Sequence, residues 1–340
     1  MFSAVKTFCL AKDVRRPNEY EDACAINQRD GVAAVADGVS SMLFSSTWAR
    51  LLAETAVTNP PDIFDAKSLW VWLGALRNAW SEQVDEDALA WHQKPKLADG
   101  AGATLLVATV VPMPSGYQLY AYAVGDCCLF LFRDGKLART FPITEAAEFQ
   151  NSPRVITSVA GPHDGQLSFD TLGEVLAPGD ELLLTSDAFA AWMMAGAEAG
   201  KSIDLAYLWD SDDEQFAAFV TKMREEKRMR FDDCTVVLLK LAPVESRSRV
   251  PVPPEPPKTA APKPAAEATD VEPAEPLPQI TPTQPARPAA PAKGKGGKKD
   301  NAKDTTGDRI SRWTEKFGKQ LGEATDAGIS RLKKWTSKKK

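Results

Sequence analysis

The sequence predicts a layered sandwich in which mostly antiparallel sheet is covered by helices, and three observations support this fold class. Short runs rich in β-branched and aromatic residues recur along the chain, turn signals separate them, and stretches with helical periodicity lie between them. A sheet and an amphipathic helix each bury one face, so packing them in layers satisfies both. The composition, with 44% hydrophobic and 26% charged residues, excludes collagen-like and wholly disordered chains.

The predicted elements all fall in the first 242 residues. The strand runs cover residues 31–36, 103–111, 118–124, 127–133, 181–185 and 235–241. The helical stretches cover residues 45–57, 65–83 and 211–228, each with apolar residues on one face. The dipeptide Asp134-Gly135 between two strand-like runs predicts a two-residue hairpin turn.

Composition divides the chain into three regions. Residues 1–242 have the size and hydrophobic content of one folded domain. Residues 243–304 are predicted to be a disordered linker, because 14 of the 41 residues from 251 to 291 are proline and little apolar surface is available to bury. Residues 305–340 regain helical periodicity and are predicted to form a basic amphipathic helix.

The tail of the chain is basic, whereas the body is acidic. Residues 1–290 carry 26 Lys and Arg against 40 Asp and Glu, and residues 291–340 carry 15 against 6. A basic amphipathic helix that contains Trp313 and Phe317 favours an anionic membrane surface, where Trp lies at the headgroups. The same apolar stripe would also fit the groove of a partner protein, and nucleic acid is the weakest of the three interpretations.

The N-terminal segment and the cysteines bear on location and metal type. The first six residues lack the apolar core of a signal peptide, and no apolar run reaches the roughly 18–20 residues that cross a bilayer. We therefore expect a cytoplasmic protein, with a tail that allows peripheral association at the inner membrane surface. Five cysteines without C-x-x-C spacing argue against a disulfide framework and a zinc site. With only two histidines, any metal has to be held mostly by oxygen.

Acidic residues stand at the ends of the predicted strands. The acids at these positions are Asp37, Asp126, Asp187, Asp232 and Asp233, and a further acidic pair, Glu21-Asp22, precedes the run 23–26. Strand ends converge on a common rim, and carboxylates that meet there repel one another unless protons or cations intervene. Oxygen ligands of this kind favour the hard ions Mg²⁺ and Mn²⁺. Any one of these acids could instead belong to a turn or a cap, so their order and spacing support the interpretation.

Six short motifs contain these acids in a fixed order. They are Glu21-Asp22-Ala23, Ala34-Val35-Ala36-Asp37-Gly38, Gly102-Ala103-Thr104-Leu105, Val124-Gly125-Asp126, Leu183-Leu184-Thr185-Ser186-Asp187 and Asp232-Asp233-Cys234-Thr235-Val236-Val237. Over roughly residues 5–242 the chain resembles the metal-dependent type 2C (PPM-type) Ser/Thr protein phosphatase family, in a divergent bacterial branch. The resemblance implies an α+β fold: a four-layer α/β/β/α sandwich of two mostly antiparallel sheets flanked by helices.

The resemblance implies a role for each matched residue. Asp37 would bridge two ions of Mn²⁺ or Mg²⁺, with the backbone carbonyl of Gly38 on the second ion. Asp187 and Asp232 would hold the first ion. Counting back from the threonine of the last motif assigns this role to Asp232, yet Asp233 stands where the family usually has Asn, so the choice between the two stays open.

The remaining site residues follow from the same resemblance. Asp126 would help to bind a third, weaker ion, and Glu21 and Asp22 would lie near the metals, mainly through bound waters. Arg16, or its neighbour Arg15, is the candidate phosphate clamp. A guanidinium group suits this task because it can hold two phosphate oxygens with parallel hydrogen bonds.

The implied function is hydrolysis of phosphoserine or phosphothreonine on proteins by a water molecule activated between the bridged ions. The partners would then be a phosphorylated protein substrate and a cognate Ser/Thr kinase. The motifs Asp37-Gly38-Val39-Ser40 and Ser186-Asp187-Ala188 each lack a glycine that the family often has. A catalytically silent binding or adaptor module with the same fold is therefore the alternative.

Overall fold

The structure, a computed structural model, describes residues 1–149, 152–161, 164–201 and 204–243. Its strands are β1 (Phe2–Leu10), β2 (Ala23–Asn27), β3 (Val32–Ala36), β4 (Gly102–Ala103), β5 (Leu105–Met113), β6 (Gly116–Val124), β7 (Cys128–Arg133), β8 (Lys136–Phe141), β9 (Ile156–Thr157), β10 (Asp170–Leu176), β11 (Glu181–Thr185) and β12 (Cys234–Leu241). Its helices are α1 (Ser45–Thr58), α2 (Ala66–Gln83), α3 (Asp187–Glu198), α4 (Leu205–Asp210) and α5 (Asp213–Glu225). The predicted tail, and the predicted linker after its first residue, lie outside the described residues.

Two five-stranded sheets are formed within this part of the chain. The first sheet has the order β1-β12-β11-β7-β8, and the second has the order β10-β6-β5-β3-β2. Each neighbouring pair in both sheets is antiparallel. The short strands β4 and β9 pair with each other just before β5 begins. The strands β1 and β2 are therefore edge strands of different sheets.

Buried hydrophobic side chains separate the layers of the sandwich. One cluster fills the space between the two sheets, a second lies between the second sheet and the helices α1 and α2, and a third joins the first sheet to α3, α4 and α5. Neighbouring residues of β3 show the division, because Val35 belongs to the cluster between the sheets and Ala34 to the cluster under α1. The predicted fold class is confirmed.

The predicted strands and helices are present with small shifts of their ends. The run 103–111 is interrupted at Thr104, which bonds to Asp37 instead of to the neighbouring strand. The hairpin turn is also confirmed, with positive φ angles of 51° at Asp134 and 70° at Gly135. Sequence patterns missed the strands β1, β2, β9 and β10 and the helices α3 and α4. Of these, β1 is an edge strand with irregular burial, and α3 is apolar on nearly every side.

Among the helices that the structure describes, none combines the length and apolar content needed to cross a membrane.

Candidate functional site

The predicted acids gather at one rim, where strands of both sheets end. Asp37 follows β3 of the second sheet, and Asp187 follows β11 of the first sheet as the first residue of α3. Asp126 lies in the turn from β6 to β7, where the chain passes from one sheet to the other. The carboxylates that act electrostatically on Asp37 are those of Asp22, Asp126, Asp187 and Asp232. Acids that are far apart in the sequence thus become neighbours.

Asp37 is held at the rim by residues just before β5. Its amide donates to Thr104 Oγ1 at 3.1 Å, and the Thr104 amide donates to the Asp37 carbonyl oxygen at 2.9 Å. The following residue, Gly38, has to be glycine here, because a Cβ atom would come within 2.6 Å of the Glu21 carbonyl oxygen. The two hydrogen bonds between Asp37 and Thr104 therefore bring the motif at residues 34–38 next to the motif at residues 102–105.

Asp22 is positioned by the beginning of β12. Thr235 Oγ1 donates to Asp22 Oδ2 at 2.7 Å, and the Tyr20 hydroxyl contacts the same Thr235 oxygen. The Thr235 amide in turn donates to Ser186 Oγ at 3.0 Å. Because Ser186 immediately precedes Asp187, one threonine orders acids that come from both sheets.

Burial and mutual repulsion raise the pKa of five carboxyl groups in the rim, those of Asp22, Asp37, Asp126, Asp187 and Asp233. Burial is the larger cause in each, and neighbouring carboxylates add to it. The pKa rises to about 8 for Asp22 and to about 7 for Asp126. The pKa of Asp37 lies well above its usual value, and the pKa of Asp187 is raised as well. A bound cation would relieve this repulsion and displace the protons.

Three carboxylate oxygens of the rim are buried and have no hydrogen-bond partner among the residues that the structure describes. They are Oδ1 of Asp22, Oδ1 of Asp126 and Oδ1 of Asp187. A buried oxygen without a donor costs free energy of folding, and a hard divalent cation is a ligand that such oxygens accept. In the part of the chain that the structure describes, no three acidic, His or Cys side chains form a ready-made ligand set. The donor chemistry fits a hard cation, and the carboxylates would have to turn toward a common point to bind it.

Two cationic side chains compensate part of this negative charge, and the sequence analysis missed both. Lys12 Nζ donates to Glu21 Oε2 at 2.8 Å; burial opposes the charge of Lys12, but contact with Glu21 raises its pKa. Arg230 donates to Asp187 Oδ2 at 3.0 Å, and its charge lowers the pKa of Asp126 against the effect of burial. Their positions in the sequence could have indicated both residues. Lys12 lies two residues after the end of β1, and Arg230 lies two residues before the last motif.

The two aspartates before β12 have different surroundings. Asp233 accepts from the Lys12 amide at 2.6 Å through Oδ1 and from the Glu21 amide at 2.7 Å through Oδ2. It thereby ties the segment after β1 to the segment before β2, which is a structural task. Asp232 accepts the Asp233 amide at 2.9 Å through Oδ1 alone. These contacts favour Asp232 over Asp233 as the position of a metal ligand.

The predicted phosphate clamp lies at the surface. The side chain of Arg16 is 65% exposed, donates to Glu19 at 3.1 Å and lies 3.8 Å from Asp13. The side chain of Arg15 is 85% exposed and pairs with Asp13 as well. Both guanidinium groups contact acids of their own loop. Because exposed ion pairs contribute little free energy, a phosphate group could compete for either arginine.

The two positions that lack the family's frequent glycine fit their surroundings. Ser40 Oγ accepts a hydrogen bond from Lys12 Nζ at 2.7 Å, and Ala188 is fully buried in the first turn of α3. The described residues other than glycine that have a positive φ are Phe44, Asp134 and Lys227. Neither Ser40 nor Ala188 therefore requires the conformational freedom of glycine.

Comparison with known proteins gives one family match and several similar folds. The profile of the protein phosphatase 2C family matches residues 14–230. No curated protein matches the chain. Among solved structures, the serine/threonine phosphatase PstP/Ppp of Mycobacterium tuberculosis is 18% identical, with 70% of this chain and 98% of that chain covered and a TM-score of 0.45.

Two further structures have a similar degree of likeness. The PPM Ser-Thr phosphatase MsPP of Mycobacterium smegmatis, solved with cacodylate, is 19% identical, with 71% of this chain and 99% of that chain covered and a TM-score of 0.42. PppA of Pseudomonas aeruginosa, described as a key regulatory component of T6SS, is 18% identical, with 71% and 98% covered and a TM-score of 0.45. At this level of identity the likeness concerns the fold alone.

Proposed function

Since the chain belongs to the protein phosphatase 2C family, we propose that it hydrolyses phosphoserine or phosphothreonine on proteins with the help of Mn²⁺ or Mg²⁺. The observation that carries the proposal is the set of buried carboxylate oxygens without a partner on Asp22, Asp126 and Asp187. Such oxygens need a counter-charge, and attack on a phosphate monoester is helped by cations beside the phosphoryl group. Cations bound at the acidic rim would both neutralise the buried oxygens and lie beside the phosphoryl group.

The proposed ligands extend around the whole rim. They are Asp37, the backbone carbonyl of Gly38, Asp187 and Asp232 for two ions, with Asp126 for a third ion and Glu21 and Asp22 acting through bound waters. The central place of Asp37 is supported by the four carboxylates that act on it. Asp187 offers Oδ1, which has no donor, while Arg230 holds its Oδ2.

The residues of the chain would bind the phosphoryl group, keep the acidic side chains in position and release protons. When bound, the ions would lower the pKa of nearby water and neutralise charge on the phosphoryl oxygens. Asp22 and Asp126, whose pKa values are raised to about 8 and about 7, would release protons as cations enter. Arg16 would bind phosphoryl oxygens with its planar guanidinium group. Lys12 would keep Glu21 in place through their 2.8 Å contact.

The direct test is turnover of a phosphopeptide and of an aryl phosphate by the full chain, with and without Mn²⁺. We expect turnover that depends on Mn²⁺, and a loss of about 10²–10³-fold in Asp37→Asn. Asp134→Asn is the matched control, because it removes the same charge at an exposed hairpin turn that also accommodates Asn. Absence of Mn²⁺-dependent turnover in the wild-type chain, together with unchanged Mn²⁺ binding in Asp37→Asn, would overturn the proposal.

The role of Arg16 can be separated from that of its neighbour. Losing a charge-assisted hydrogen bond to phosphate costs about 1.5–3 kcal/mol, so Arg16→Ala should lower kcat/KM by about 10–100-fold. Arg15→Ala removes a more exposed guanidinium group of the same loop and should have a much smaller effect. Equal losses in both variants, or none in Arg16→Ala, would reject Arg16 as the clamp.

A second candidate function is a catalytically silent phosphatase-like module that binds a phosphoprotein or a kinase. The observation that favours it is that no three acids in the described residues are arranged as a ready-made ligand set. Lys12 and Arg230 also already pair with Glu21 and Asp187. Calorimetric titration with Mn²⁺ separates the two functions, because an adaptor does not need to bind two ions.

The tail would localise the enzyme. We propose that residues 305–340, which lie outside the described residues, hold the protein at an anionic membrane surface on the cytoplasmic side, near substrates of a cognate Ser/Thr kinase. Co-sedimentation of the full chain with anionic vesicles, compared with neutral vesicles and with a chain that ends at residue 304, tests this. Equal sedimentation with both lipids would reject the membrane in favour of the groove of a partner protein.

A further inference from the structure

The helices that cover the first sheet form a groove with an aromatic wall. The groove lies between α3, α4 and α5 and has a volume of about 620 Å³. Each helix supplies one ring: the ring centroids of Trp192 and Phe219 lie 5.2 Å apart, and those of Tyr207 and Phe219 lie 5.8 Å apart. This surface, the aromatic groove, is lined by Phe189, Trp192, Tyr207, Leu208, Ala218 and Phe219.

The aromatic groove leaves apolar surface open to solvent. Tyr207 is 45% exposed, and Trp192 and Phe219 are only partly buried, although both pack against the core beneath them. Tyr and Trp combine an apolar body with a polar end and are enriched at protein interfaces. Exposed rings from three helices in one groove are typical of a surface that binds the apolar face of another helix.

Acidic residues flank the groove. The segment from residue 204 to residue 221 carries five acids, all exposed, and neither Lys nor Arg. Asp204 lines the groove, and the other four lie at the end of α4 and the beginning of α5, the helices that supply Tyr207 and Phe219. The lining residue Lys222 pairs with Glu226 at 4.0 Å. The groove therefore favours a segment that is apolar on one face and basic on the other.

The tail of this chain has that composition. Residues 305–340 carry 10 Lys and Arg against 4 Asp and Glu. Ile310, Trp313, Phe317 and Leu321 follow one another at spacings of three and four residues, the pattern of one face of a helix. The predicted tail helix thus offers two aromatic anchors, one turn apart, to a groove with an aromatic wall.

The chain leaves the described domain close to the groove. Lys240, near the end of β12, lines a cavity together with Trp209 of α4. Tyr207 of the same short helix lines the groove. A random coil with the length of the predicted linker 243–304 has an average end-to-end distance of about 45 Å, several times the length of α4. The tail can therefore reach the groove of its own chain.

We propose that residues 305–340 dock into the aromatic groove of their own chain. Trp313 and Phe317 pack against its aromatic wall, and the basic face lies toward the acids of α4 and α5. The aromatic anchors supply most of the affinity, and the opposite charges orient the tail. Docking covers the apolar stripe that the proposed membrane contact requires, so the docked and the membrane-bound tail exclude each other. Only this exclusion rests on the function proposed for the tail.

Zero-length cross-linking of the full chain with a carbodiimide, followed by peptide mapping, tests the docking. The reagent joins a carboxylate to an amine in contact with it, so we expect Lys316 and Lys319 to be linked to acids between residues 204 and 214. Lys240 and Glu181, whose Nζ and Oε1 atoms lie 2.9 Å apart, are the internal control. Tail links that fall on acids elsewhere, or no tail links beside the Lys240–Glu181 link, would overturn the proposal.

A mixture of ¹⁵N-labelled and unlabelled protein distinguishes docking within a chain from docking between chains. We expect each tail link to join two peptides of the same isotope. Links that join labelled to unlabelled peptides would place the tail in the groove of a second copy and would reject docking within the chain.

Variants separate aromatic contact from charge attraction. Trp313→Ala and Phe317→Ala change no charge and leave the sequence of the described domain intact, yet each should lower the yield of tail links several-fold. Tyr207→Ala should have the same effect from the side of the groove. Trp91→Ala is the matched control, because it removes an 85% exposed ring that does not line the groove. Unchanged tail links in Trp313→Ala and Phe317→Ala would show charge attraction alone and would overturn the proposal.

Vesicles test the exclusion separately. Tyr207→Ala frees the tail, so this variant should sediment more completely than wild type with phosphatidylglycerol vesicles, whereas Trp91→Ala should not. Equal sedimentation of wild type and Tyr207→Ala would reject the exclusion. A full chain that binds no phosphatidylglycerol vesicle would contradict the proposed membrane contact, whereas the cross-links are read by mass and decide the docking without a membrane.

Discussion

The two ends of β11 place an aspartate in opposite situations. Asp180, just before the strand, is 2% exposed, and its carboxylate accepts from Arg133 at 2.7 and 3.1 Å and from the Ala177 amide at 2.9 Å. Asp187, just after the strand, has Arg230 on Oδ2 and no hydrogen-bond partner on its buried Oδ1. The comparison teaches that two acids at the ends of one strand can differ in whether the fold satisfies their oxygens, and it is the unsatisfied one, Asp187, that we propose as a metal ligand.

The largest difference between the two ends should appear in activity. Asp187→Asn removes a proposed metal ligand, and we expect turnover of a phosphopeptide with Mn²⁺ to fall about 10²–10³-fold. Asp180 lies at the opposite end of the strand, so Asp180→Asn should leave kcat within about twofold of the wild-type value. Similar losses in both variants, measured at a temperature where both are folded, would contradict the distinction between the two ends.

Stability should follow the opposite order. Asp180→Asn leaves Arg133 with a weaker acceptor, and because that guanidinium is 41% exposed, we expect a loss of about 2 kcal/mol rather than the larger cost of breaking a fully buried pair. Asp37→Asn removes charge from a site where other carboxylates repel it, so the metal-free variant should be about 1 kcal/mol more stable than wild type. Urea unfolding in EDTA measures both; a loss in Asp37→Asn would show that its charge stabilises the fold.

The pH dependence of the metal-free protein sharpens the contrast further. An acid with a raised pKa binds more protons when folded than when unfolded, so its contribution to stability is lost as the pH rises. The raised pKa values of Asp22 and Asp126, about 8 and about 7, place this loss between about pH 4 and pH 8. We expect stability in EDTA to fall across this window and Mn²⁺ to offset most of the fall. Asp126→Asn should make the fall of the unfolding free energy with pH shallower. An unchanged slope would contradict a raised pKa of Asp126 in the folded protein.

The smallest expected effect concerns the cation beside Asp187. Arg230 competes with a metal for this carboxylate, so Arg230→Gln should tighten Mn²⁺ binding by about 1 kcal/mol, or about fivefold in Kd. Arg228→Gln is the control, because Arg228 pairs with Glu226 at the surface. Weaker Mn²⁺ binding in Arg230→Gln would mean that Arg230 positions Asp187 rather than competing for it.

Much of the fold was predictable because its signals are local. Apolar runs that end in an acid are visible in the sequence, and so is the turn at Asp134-Gly135. The choice between Asp232 and Asp233 was not, since it depends on which acid accepts amides from the segments around Lys12 and Glu21. Contacts of that kind join residues about 200 positions apart, and no periodicity records them.

The sequence by itself predicted the acids of the rim, most of the runs that become strands and helices, and the hairpin turn at Asp134-Gly135. Only the tertiary structure decided which carboxylate oxygens of the described residues remain without a partner, that Arg230 reaches Asp187, and that a Cβ at position 38 would meet the Glu21 carbonyl oxygen. The physical reason is that residue types and local spacing specify what a segment can bury, whereas the stacking of two sheets specifies which groups meet where their edges come together.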